Sequence, residues 1–279
     1  METAGRSRGR GWKLLMIWTC KKDAGEEYAG DSMNQRKEKM HAFDGWRYAH
    51  RGLHRKPDIP ENSRAAFRRA VKNGFGAELD VHLLSDGTLA VLHDSLLKRM
   101  TGREGVIEDC ALKDLPELKL GGTEETIPTF GEVLRIFDGR TPLIIELKTW
   151  KGNAAALTEA VIKELEGYRG LYCLESFDPW VVLWLRKNRP DIIRGQLSMD
   201  FIKERSGLTF MQAVFATHLL HVFITRPDFI AYRFQDRHKA ANRFCLHVLR
   251  KQGVSWTLRT PGQIRQAEKE GSWPIFEKP

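Results

Sequence analysis

The sequence predicts an α/β fold, a (β/α)8 TIM barrel. Short β-rich runs alternate with helical patterns along the chain, as parallel strands joined by crossover helices require. The length of 279 residues suits one such barrel, because barrels of this kind commonly take ~250 residues. Hydrophobic residues make up 42% of the chain, which is enough for a core. We see no internal repeat.

The predicted strands are short and rich in β-branched and other apolar residues. In chain order they cover residues 46–49, 77–81, 89–92, 142–148, 171–176, 192–197, 229–234 and 254–258. Capping residues and apolar spacing predict helices between them, including a capping box at Thr129 and Glu132. The predicted helices cover 63–73, 129–138, 153–166 and 178–188, and a last one begins at Thr260-Pro261.

We expect two parts, a polar N-terminal extension at residues 1–45 and a barrel domain at 46–279. Residues 24–40 have the composition of a disordered tail. The apolar stretch Leu14–Trp18 is too short for a secretion signal, so no export is expected. Met33 and Met40 precede the first strand closely and are alternative starts to Met1.

Two segments depart from the barrel pattern. Residues 95–126 show no clear barrel element and are expected to form a short insertion near the mouth of the barrel. Residues 208–224 are apolar but carry Gln212, His218 and His221, so they are too short and too polar for a transmembrane span. A buried barrel helix near the mouth is the first interpretation of this segment, and a membrane-contacting flap is the second.

The net charge of +9 does not indicate nucleic-acid binding. Residues 1–40 supply +3, from nine basic and six acidic residues, and the rest is spread without a basic stripe or interleaved aromatics. The four cysteines are far apart and show no metal or redox spacing. Reduced thiols in the cytoplasm are therefore expected.

Acidic residues at strand ends predict a metal site. Glu78 and Asp80 alternate with apolar residues, so they share one face of a strand, and a later β-rich run ends with Glu146 and Lys148. Buried carboxylates are costly unless a cation satisfies them, and a hard ion such as Mg²⁺ or Ca²⁺ is the simplest partner. Strand-end ion pairs without a metal are the alternative.

Two histidines follow strand-like runs, the position where barrel enzymes carry their chemistry. His50 follows residues 46–49, and His93 follows 89–92. Because a histidine can take and give a proton near neutral pH, one of the pair could assist attack on a phosphorus atom and the other could assist departure of the leaving group. Arg51 and Lys148 could stabilise the charge of a phosphate. A structural role is the default for the other histidines.

Seven motifs, in order over residues 46–260, closely resemble those of the glycerophosphodiester phosphodiesterases. They are His50-Arg51-Gly52, Pro60-Glu61-Asn62-Ser63, Glu78-Leu79-Asp80-Val81, the run Asp86–Asp94, Ile127-Pro128-Thr129-Phe130, Glu146-Leu147-Lys148 and Ser176-Phe177. Each motif is weak alone, but seven in order are specific. The resemblance implies a barrel of the phosphodiesterase and phospholipase-C-like type, with the 95–126 insertion over the active-site mouth.

The resemblance also implies roles for individual residues. His50 and His93 would be the catalytic acid and base, and a divalent cation, Mg²⁺ or Ca²⁺, would be the cofactor. The metal residues would be Glu78, Asp80 and Glu146, with Glu61 binding the metal or orienting its ligands. The substrate residues would be Arg51, Lys148, Phe177 and Trp256.

Two late motifs differ from the family pattern. Arg259 replaces the asparagine of Trp-Thr-Val-Asn, and residues 275–279 read Ile-Phe-Glu-Lys-Pro where the family has Ile-Thr-Asp-Arg-Pro. The contacts of the asparagine and of the closing strand are therefore not expected to carry over unchanged.

The favoured function is metal-dependent hydrolysis of small glycerophosphodiesters to sn-glycerol 3-phosphate and an alcohol. The alternative is a lysophospholipase D-type activity at a membrane, with residues 208–224 as the docking surface. A barrel that only binds phosphodiesters is a third hypothesis, which the presence of every expected catalytic residue argues against. Attack by water and attack by a glycerol hydroxyl, through a cyclic phosphate, both fit the residues.

Overall fold

Eight parallel strands close into a barrel in the computed structural model, which describes residues 29–205 and 207–278. The strands follow the order β1-β9-β8-β7-β6-β5-β4-β2, and the pairing of β1 with β2 closes the circle. The predicted (β/α)8 barrel is confirmed. The strands are β1 (Tyr48–Ala49), β2 (Gly76–Leu83), β3 (Leu89–Val91), β4 (Leu143–Leu147), β5 (Tyr172–Ser176), β6 (Arg194–Ser198), β7 (Phe229–Arg233), β8 (Gln252–Leu258) and β9 (Ser272–Phe276).

Helices surround the barrel, and most of them bury apolar side chains. They are α1 (Ala29–His41), α2 (Arg64–Lys72), α3 (Lys98–Thr101), α4 (Phe130–Phe137), α5 (Ala154–Glu164), α6 (Pro179–Asn188), α7 (Phe210–Thr217), α8 (Val222–Thr225), α9 (Ala240–His247) and α10 (Pro261–Lys269). Short 3-10 helices occupy Ile107–Asp109, Leu112–Glu117 and Phe234–Asp236.

Local caps explain why the helix predictions agree with the structure. Ser63 accepts a hydrogen bond from the amide of Ala66 at 3.1 Å and starts α2. Thr129 and Glu132 form the predicted capping box at the start of α4. The starts of α6 and α10, at Pro179 and Pro261, also fall where the sequence predicts them, because proline fits the first turn of a helix.

The strand before His93 differs from the expectation, because it is not part of the barrel. β3 runs antiparallel to β2, with Val91 opposite Val81, and forms a hairpin on the extended end of β2. The turn Asp86-Gly87 makes this return possible, with Gly87 at φ +88°. His93 therefore reaches the mouth of the barrel from a hairpin and not from a barrel strand.

The insertion at residues 95–126 has a small core of its own. Leu97, Ile107, Leu115, Leu120 and Ile127 are buried together with residues of the hairpin. Helix α3 and two 3-10 helices make up most of its regular structure. This packing fixes the segment against the hairpin that carries His93.

The described part of the N-terminal extension, which begins at residue 29, is more ordered than its composition predicts. Residues 29–41 form α1, whereas residues 24–40 were expected to be a disordered tail. Arg36 on α1 donates to the carboxylate of Asp228 at 2.6 Å and to the carbonyl of Ile192 at 3.0 Å, so contacts with distant residues order a polar helix. The predictions for Leu14–Trp18, for Cys20 and for Met1 fall outside the described residues.

The apolar segment 208–224 forms two helices. α7 buries Ala213 and Ala216 next to Phe177 and Trp256, as expected for a segment near the barrel mouth. α8 lies at the opposite end of the barrel, because its chain continues within four residues into the start of β7. Within the two described ranges, no helix combines the length and apolar character needed to cross a bilayer.

Candidate active site

A pocket of about 380 Å³ opens at the carboxyl ends of the barrel strands, where barrel enzymes place their catalytic groups. Most of the predicted site residues line it. These are His50, Arg51, Glu78, His93, Glu146, Phe177 and Trp256. Asp80 and Lys148 are joined to the pocket by ion pairs with these residues.

Glu78, Asp80 and Glu146 form a buried acidic group. Their carboxylate oxygens lie within 4.8 Å of one another. The alternation along β2 puts Glu78 and Asp80 on one face, and the strand register places Asp80 beside Glu146 on β4. The sequence prediction that these three side chains meet therefore agrees with the structure.

The charges in this group are unevenly compensated. Burial, together with the nearby carboxylates of Asp80 and Glu146, holds the pKa of Glu78 well above its usual value. Burial would also raise the pKa of Asp80, but Lys148, His93 and Arg51 hold it well below its usual value. Asp80 is therefore ionised, whereas the surroundings of Glu78 favour its protonation or the binding of a cation.

Lys148 and Arg51 supply the positive charge. The Nζ atom of Lys148 lies 3.0 Å from Oδ1 of Asp80 and 2.6 Å from Oε1 of Glu146. Although burial lowers the pKa of Lys148, these two carboxylates raise it above its usual value. Arg51 reaches Asp80 at 3.6 Å, and Asn62 donates to Asp80 at 2.8 Å.

The residues present fit a divalent cation. Glu78, Asp80 and Glu146 offer only oxygen atoms, the donors that Mg²⁺ and Ca²⁺ prefer. A fourth buried carboxylate in the pocket, Glu175, has an Oε2 atom without a hydrogen-bond partner among the described residues. Three or four carboxylates against Arg51 and Lys148 leave the site negative, which favours uptake of a cation.

His50 is oriented by a residue that the sequence did not reveal. Its Nδ1 atom lies 2.8 Å from Oε1 of Glu277, and its Nε2 atom lies 3.9 Å from Oε2 of Glu78. Burial lowers the pKa of His50 to about 4, although the hydrogen bond to Glu277 acts in the opposite direction. The ring is therefore neutral at pH 7, with Nδ1–H donated to Glu277 and Nε2 available to accept a proton.

His93 has a similar arrangement with its neighbour. Its Nδ1 atom lies 2.5 Å from Oδ1 of Asp94. Asp94 is in turn bonded by Arg99 from the insertion. Since Nδ1 is engaged, Nε2 is the ring atom of His93 that is available to a substrate.

Glu61 lies apart from the acidic group. Its Oε1 atom accepts hydrogen bonds from Arg51 at 2.6 Å and from Arg99 at 2.7 Å. Burial alone would raise the pKa of Glu61, but these two guanidinium groups lower it to about 2. Two cations already satisfy this carboxylate, so its contacts are those of a residue that orients Arg51, not those of a metal ligand.

Phe177 and Trp256 together form an aromatic wall of the pocket. The two rings meet edge to face, with centroids 5.7 Å apart. Phe177 also contacts the ring of Phe201, and the Nζ atom of Lys148 lies 6.0 Å from the centre of the Phe177 ring. The wall therefore stands beside the charged group.

The sequence did not indicate several residues in and around the pocket, because they lie far from the recognised motifs or in altered motifs. Glu277 falls in the Ile-Phe-Glu-Lys-Pro segment, and the position of aspartate in the family motif could have indicated it. Arg259 donates to Glu277 at 3.0 Å, so the residue that departs from the family asparagine binds the partner of His50. Glu175 directly precedes the Ser176-Phe177 motif.

A barrel whose mouth joins two carboxylate-bound histidines to a cluster of acidic and basic side chains has the features of a hydrolase. Residues 50–276 match the model of the Glycerophosphoryl diester phosphodiesterase family, and the chain belongs to this family. It is thus an enzyme of the hydrolase class.

Known proteins agree with this assignment. The chain is 31% identical over 180 residues to a glycerophosphodiester phosphodiesterase of Caldanaerobacter subterraneus, which is 61% of this chain and 73% of that protein. It is 33% identical over 171 residues to one of Bacillus altitudinis, covering 56% and 68% of the two chains.

Solved structures share the fold. The glycerophosphodiester phosphodiesterase of Thermotoga maritima superposes with a TM-score of 0.63 at 26% identity, over 82% of this chain and 92% of that one. A phosphodiesterase of Oleispira antarctica, solved with its product sn-glycerol-3-phosphate, gives a TM-score of 0.70 at 20% identity, over 85% and 94%.

Proposed function

We propose that this protein hydrolyses glycerophosphodiesters to sn-glycerol 3-phosphate and an alcohol, and that the reaction requires a divalent cation. One observation supports this most. His50 and His93, each bound at Nδ1 by a carboxylate, line a single pocket with Glu78 and Glu146 of the acidic group. Proton donors and acceptors beside an acidic group are what phosphodiester cleavage needs.

The cation, Mg²⁺ or Ca²⁺, is proposed to be held by Glu78, Asp80 and Glu146. When bound, it would neutralise negative charge on the phosphate oxygens. Glu61 is proposed to orient Arg51 through their 2.6 Å hydrogen bond. Arg51 and Lys148 are proposed to hold the phosphate, since both keep their positive charge in the pocket.

His50 is proposed to be the general base. Its lowered pKa keeps the ring neutral at pH 7, and Glu277 fixes the tautomer that leaves Nε2 free. His50 takes the proton of the attacking oxygen, and His93 gives a proton to the oxygen of the departing alcohol. The new bond between phosphorus and the attacking oxygen replaces the bond between phosphorus and the departing alcohol. His50 takes up one proton, and His93 delivers one.

The attacking oxygen is either water or a hydroxyl of the glycerol. Attack by the glycerol hydroxyl produces a cyclic phosphate, which water opens in a second step. Phosphorus NMR of a single turnover separates the two routes, because the cyclic phosphate has its own resonance. Phe177 and Trp256 are proposed to pack on the glycerol carbons.

Chelation tests the metal requirement. EDTA should abolish hydrolysis of a panel of glycerophosphodiesters, and Mg²⁺ or Ca²⁺ should restore it. Glycerol 3-phosphate released in a coupled assay is the readout. Full activity after exhaustive chelation would remove the metal from the proposal, and no activity on any diester with metal present would remove the substrate class.

A lysophospholipase D-type activity at a membrane is the second candidate. Exposed apolar residues favour it, namely Phe210 and Met211 on α7 and Ile202 before it. Buried residues close to them in sequence, Phe201 and Ala213, belong to the cluster that packs with Phe177 and Trp256. If α7 contacts lipid, the protein should float with anionic liposomes and Phe210→Glu should prevent this while hydrolysis of glycerophosphocholine continues. Absence of flotation, together with inactivity on lysophosphatidylcholine, would leave small diesters as substrates.

The cytoplasm is the proposed location. Cys110, Cys173 and Cys245 carry free thiols, as the reducing cytoplasm maintains them. Fractionation of cells that express the full chain checks this proposal, and recovery in the secreted fraction would contradict it.

A further inference from the structure

Glu175 is a buried carboxylate in the pocket for which the proposed reaction gives no role. Its side chain is almost fully buried, with 1% of the residue exposed, and it lines the same pocket as His50, His93 and Glu146. Its Oε2 atom has no hydrogen-bond partner among the residues that the structure describes. A buried polar atom without a partner is costly, so an unpaired oxygen facing a pocket indicates a missing ligand.

The strand register places Glu175 next to the acidic group. Glu175 on β5 pairs directly with Glu146 on β4, and neighbouring strands lie about 4.8 Å apart. On its other side, Glu175 pairs with Gly195 of β6, which has no side chain. A Cβ atom at Gly195 would collide with the ring of Phe229, so the side chain of Glu175 has a carboxylate on one flank and an apolar ring on the other.

The excess negative charge of the pocket favours binding of a divalent cation. Four carboxylates, Glu78, Asp80, Glu146 and Glu175, stand against two cations, Arg51 and Lys148. Because Arg51 is also shared with Glu61, the excess of negative charge is at least two when all four carboxylates are ionised, which favours uptake of a divalent cation. Without such an ion, Glu175 would have to remain protonated, because burial of an uncompensated charge is strongly unfavourable.

We propose that Glu175 is a fourth carboxylate of the metal site, contributing an oxygen to the cation directly or through one bound water, and that it favours Ca²⁺ over Mg²⁺. Ca²⁺ accepts more oxygen ligands than Mg²⁺ and tolerates irregular geometry, so an additional carboxylate benefits it more. This inference rests on the metal requirement of the proposed function.

Isothermal titration of the full-length protein with CaCl₂ or MgCl₂ tests the inference. Glu175→Gln keeps the size of the side chain and removes its charge. It should weaken Ca²⁺ binding by about tenfold or more, as loss of a metal-site partner typically does, and should weaken Mg²⁺ binding by less than about threefold. Glu175→Asp, which keeps the carboxylate, should lose less Ca²⁺ affinity.

Thermal unfolding without metal provides the second readout. Glu175→Gln should raise the Tm of the metal-free protein at neutral pH, because a buried glutamine needs neither a proton nor a cation, and should reduce the rise in Tm that Ca²⁺ produces. A purely structural glutamic acid would behave differently, since its replacement would leave the Ca²⁺ affinity unchanged. Glu204→Gln is the matched control, because Glu204 lines the same pocket but is paired with Arg233.

The possible results are distinguishable. Equal Ca²⁺ affinity in wild type and Glu175→Gln overturns the proposed role of Glu175. Equal weakening of Ca²⁺ and Mg²⁺ binding overturns the preference for Ca²⁺ and keeps the fourth carboxylate. Absence of binding of either ion to wild type overturns the metal requirement of the proposed function, and this inference with it.

Discussion

The turn at His50-Arg51-Gly52 shows how single residues set up the pocket. Arg51 adopts φ 54°, a left-handed conformation that costs energy in a residue with a side chain. Its amide donates to Oε2 of Glu78 at 3.0 Å, and its guanidinium donates to Glu61. At Gly52 (φ +78°), a Cβ atom would lie 2.9 Å from that of Ala66. Glycine therefore lets the turn pack on α2 while Arg51 faces the acidic group.

Replacement of either histidine should remove most activity. His50→Ala and His93→Ala should each lower kcat by about 10²–10⁴-fold, the usual contribution of a general acid or base. The double variant should lose less than the product of the two, because both act in one transition state. Steady-state kinetics measures this, with His247→Ala, an exposed histidine outside the pocket, as control.

A good leaving group distinguishes the two histidines. A nitrophenyl diester needs little protonation of its leaving oxygen, so it should partly restore the activity of His93→Ala and not that of His50→Ala. Rescue of His50→Ala instead would exchange the proposed acid and base. Near wild-type kcat of either variant on a natural diester would make that histidine structural.

Removal of the carboxylate beside His50 should shift the pH dependence of activity. Because the hydrogen bond to Glu277 raises the pKa of His50 against the effect of burial, Glu277→Gln should move the acidic limb of kcat/KM to lower pH. It should also reduce kcat by at least about tenfold, because a carboxylate orients the ring better than an amide. Rates measured at saturating metal over the acidic range provide the check.

Glu268→Gln, which removes the partner of Arg47 at the surface, should leave the same limb in place.

The lowered pKa of His50 also determines how this histidine affects the free energy of unfolding as the pH changes. His50 binds fewer protons in the folded chain between about pH 4 and its ordinary value of 6.5. Its contribution to stability is therefore complete above 6.5 and is lost as the pH falls through 4. An unshifted limb in Glu277→Gln would contradict the coupling.

The sequence predicts the groups that line the pocket better than the groups that hold them in place. His50, Glu78 and Glu146 follow apolar runs that are recognisable locally. Glu277 contacts His50 across 227 positions, and Arg99 contacts Glu61 across 38. Such pairs depend on closure of the barrel and on folding of the insertion, which no local pattern contains.

At the scale of elements, the hairpin and the insertion together hold His93. His82 on β2 bonds Glu108 of the insertion at 2.7 Å through Nδ1 and the carbonyl of His93 at 3.3 Å through Nε2. Ser95 donates to the same carboxylate of Glu108 at 2.9 Å. The insertion therefore holds the segment that carries His93 in place through Glu108.

Local and distant interactions explain which elements were predictable. The helices with caps, such as α4 and α6, agree with prediction because the cap and the apolar face lie within one segment. The antiparallel pairing of β3 and the order of α1 depend on partners elsewhere, with Arg36 bound to Asp228 across 192 positions. The polar composition of α1 therefore predicts a disordered tail, because the contacts that order the helix come from distant residues.

Truncation within α1 should separate its anchored part from the rest of the extension. We propose that residues 1–45 precede the barrel domain, 46–279, and that α1 stabilises that domain. A chain that starts at Met33 keeps Arg36, whereas a chain that starts at Met40 leaves the partly buried Asp228 without it. The amide of Arg194 still donates to Asp228 at 2.9 Å, but the guanidinium partner is lost, so the shorter chain should lose about 1 kcal/mol of unfolding free energy.

Chemical denaturation of the two chains measures this difference. Arg36→Ala in the longer chain should reproduce most of the loss, and Lys37→Ala, an exposed neighbour on the same helix, should not. Equal stability of both truncated chains would show that α1 lies on the barrel without contributing to its stability.

At the scale of the molecule, the barrel gathers opposing charges from distant strands into one mouth. Residues from β2, β4 and β5 supply the carboxylates, while the first and last segments of the chain supply His50 and Glu277. The whole chain carries a net charge of +9. The pocket is thus a locally negative region in a basic protein, and cation uptake must affect the stability of the whole fold.

The stabilisation that Ca²⁺ gives to the folded protein should therefore increase from about pH 5 to about pH 8. Burial and neighbouring carboxylates raise the pKa values of Glu78 and Glu175, so in the metal-free protein these groups hold protons that the unfolded chain releases above its ordinary value of 4.5. Their contribution to the stability of the metal-free fold is present at low pH and is lost as the pH rises through the raised values. Bound Ca²⁺ replaces those protons and removes the loss.

Unfolding temperatures in EDTA and in saturating Ca²⁺, measured at both pH values, test this linkage. At a concentration 100 times the Kd, the cation should add about 2.7 kcal/mol at the higher pH, and less at the lower pH because protons compete for the same oxygens. Glu78→Gln should reduce the pH dependence of the Ca²⁺ effect, since one of the competing protons is gone. A Ca²⁺ effect of equal size at both pH values would mean that the raised carboxylates do not bind the ion, and the acidic group would then be a network of ion pairs centred on Lys148.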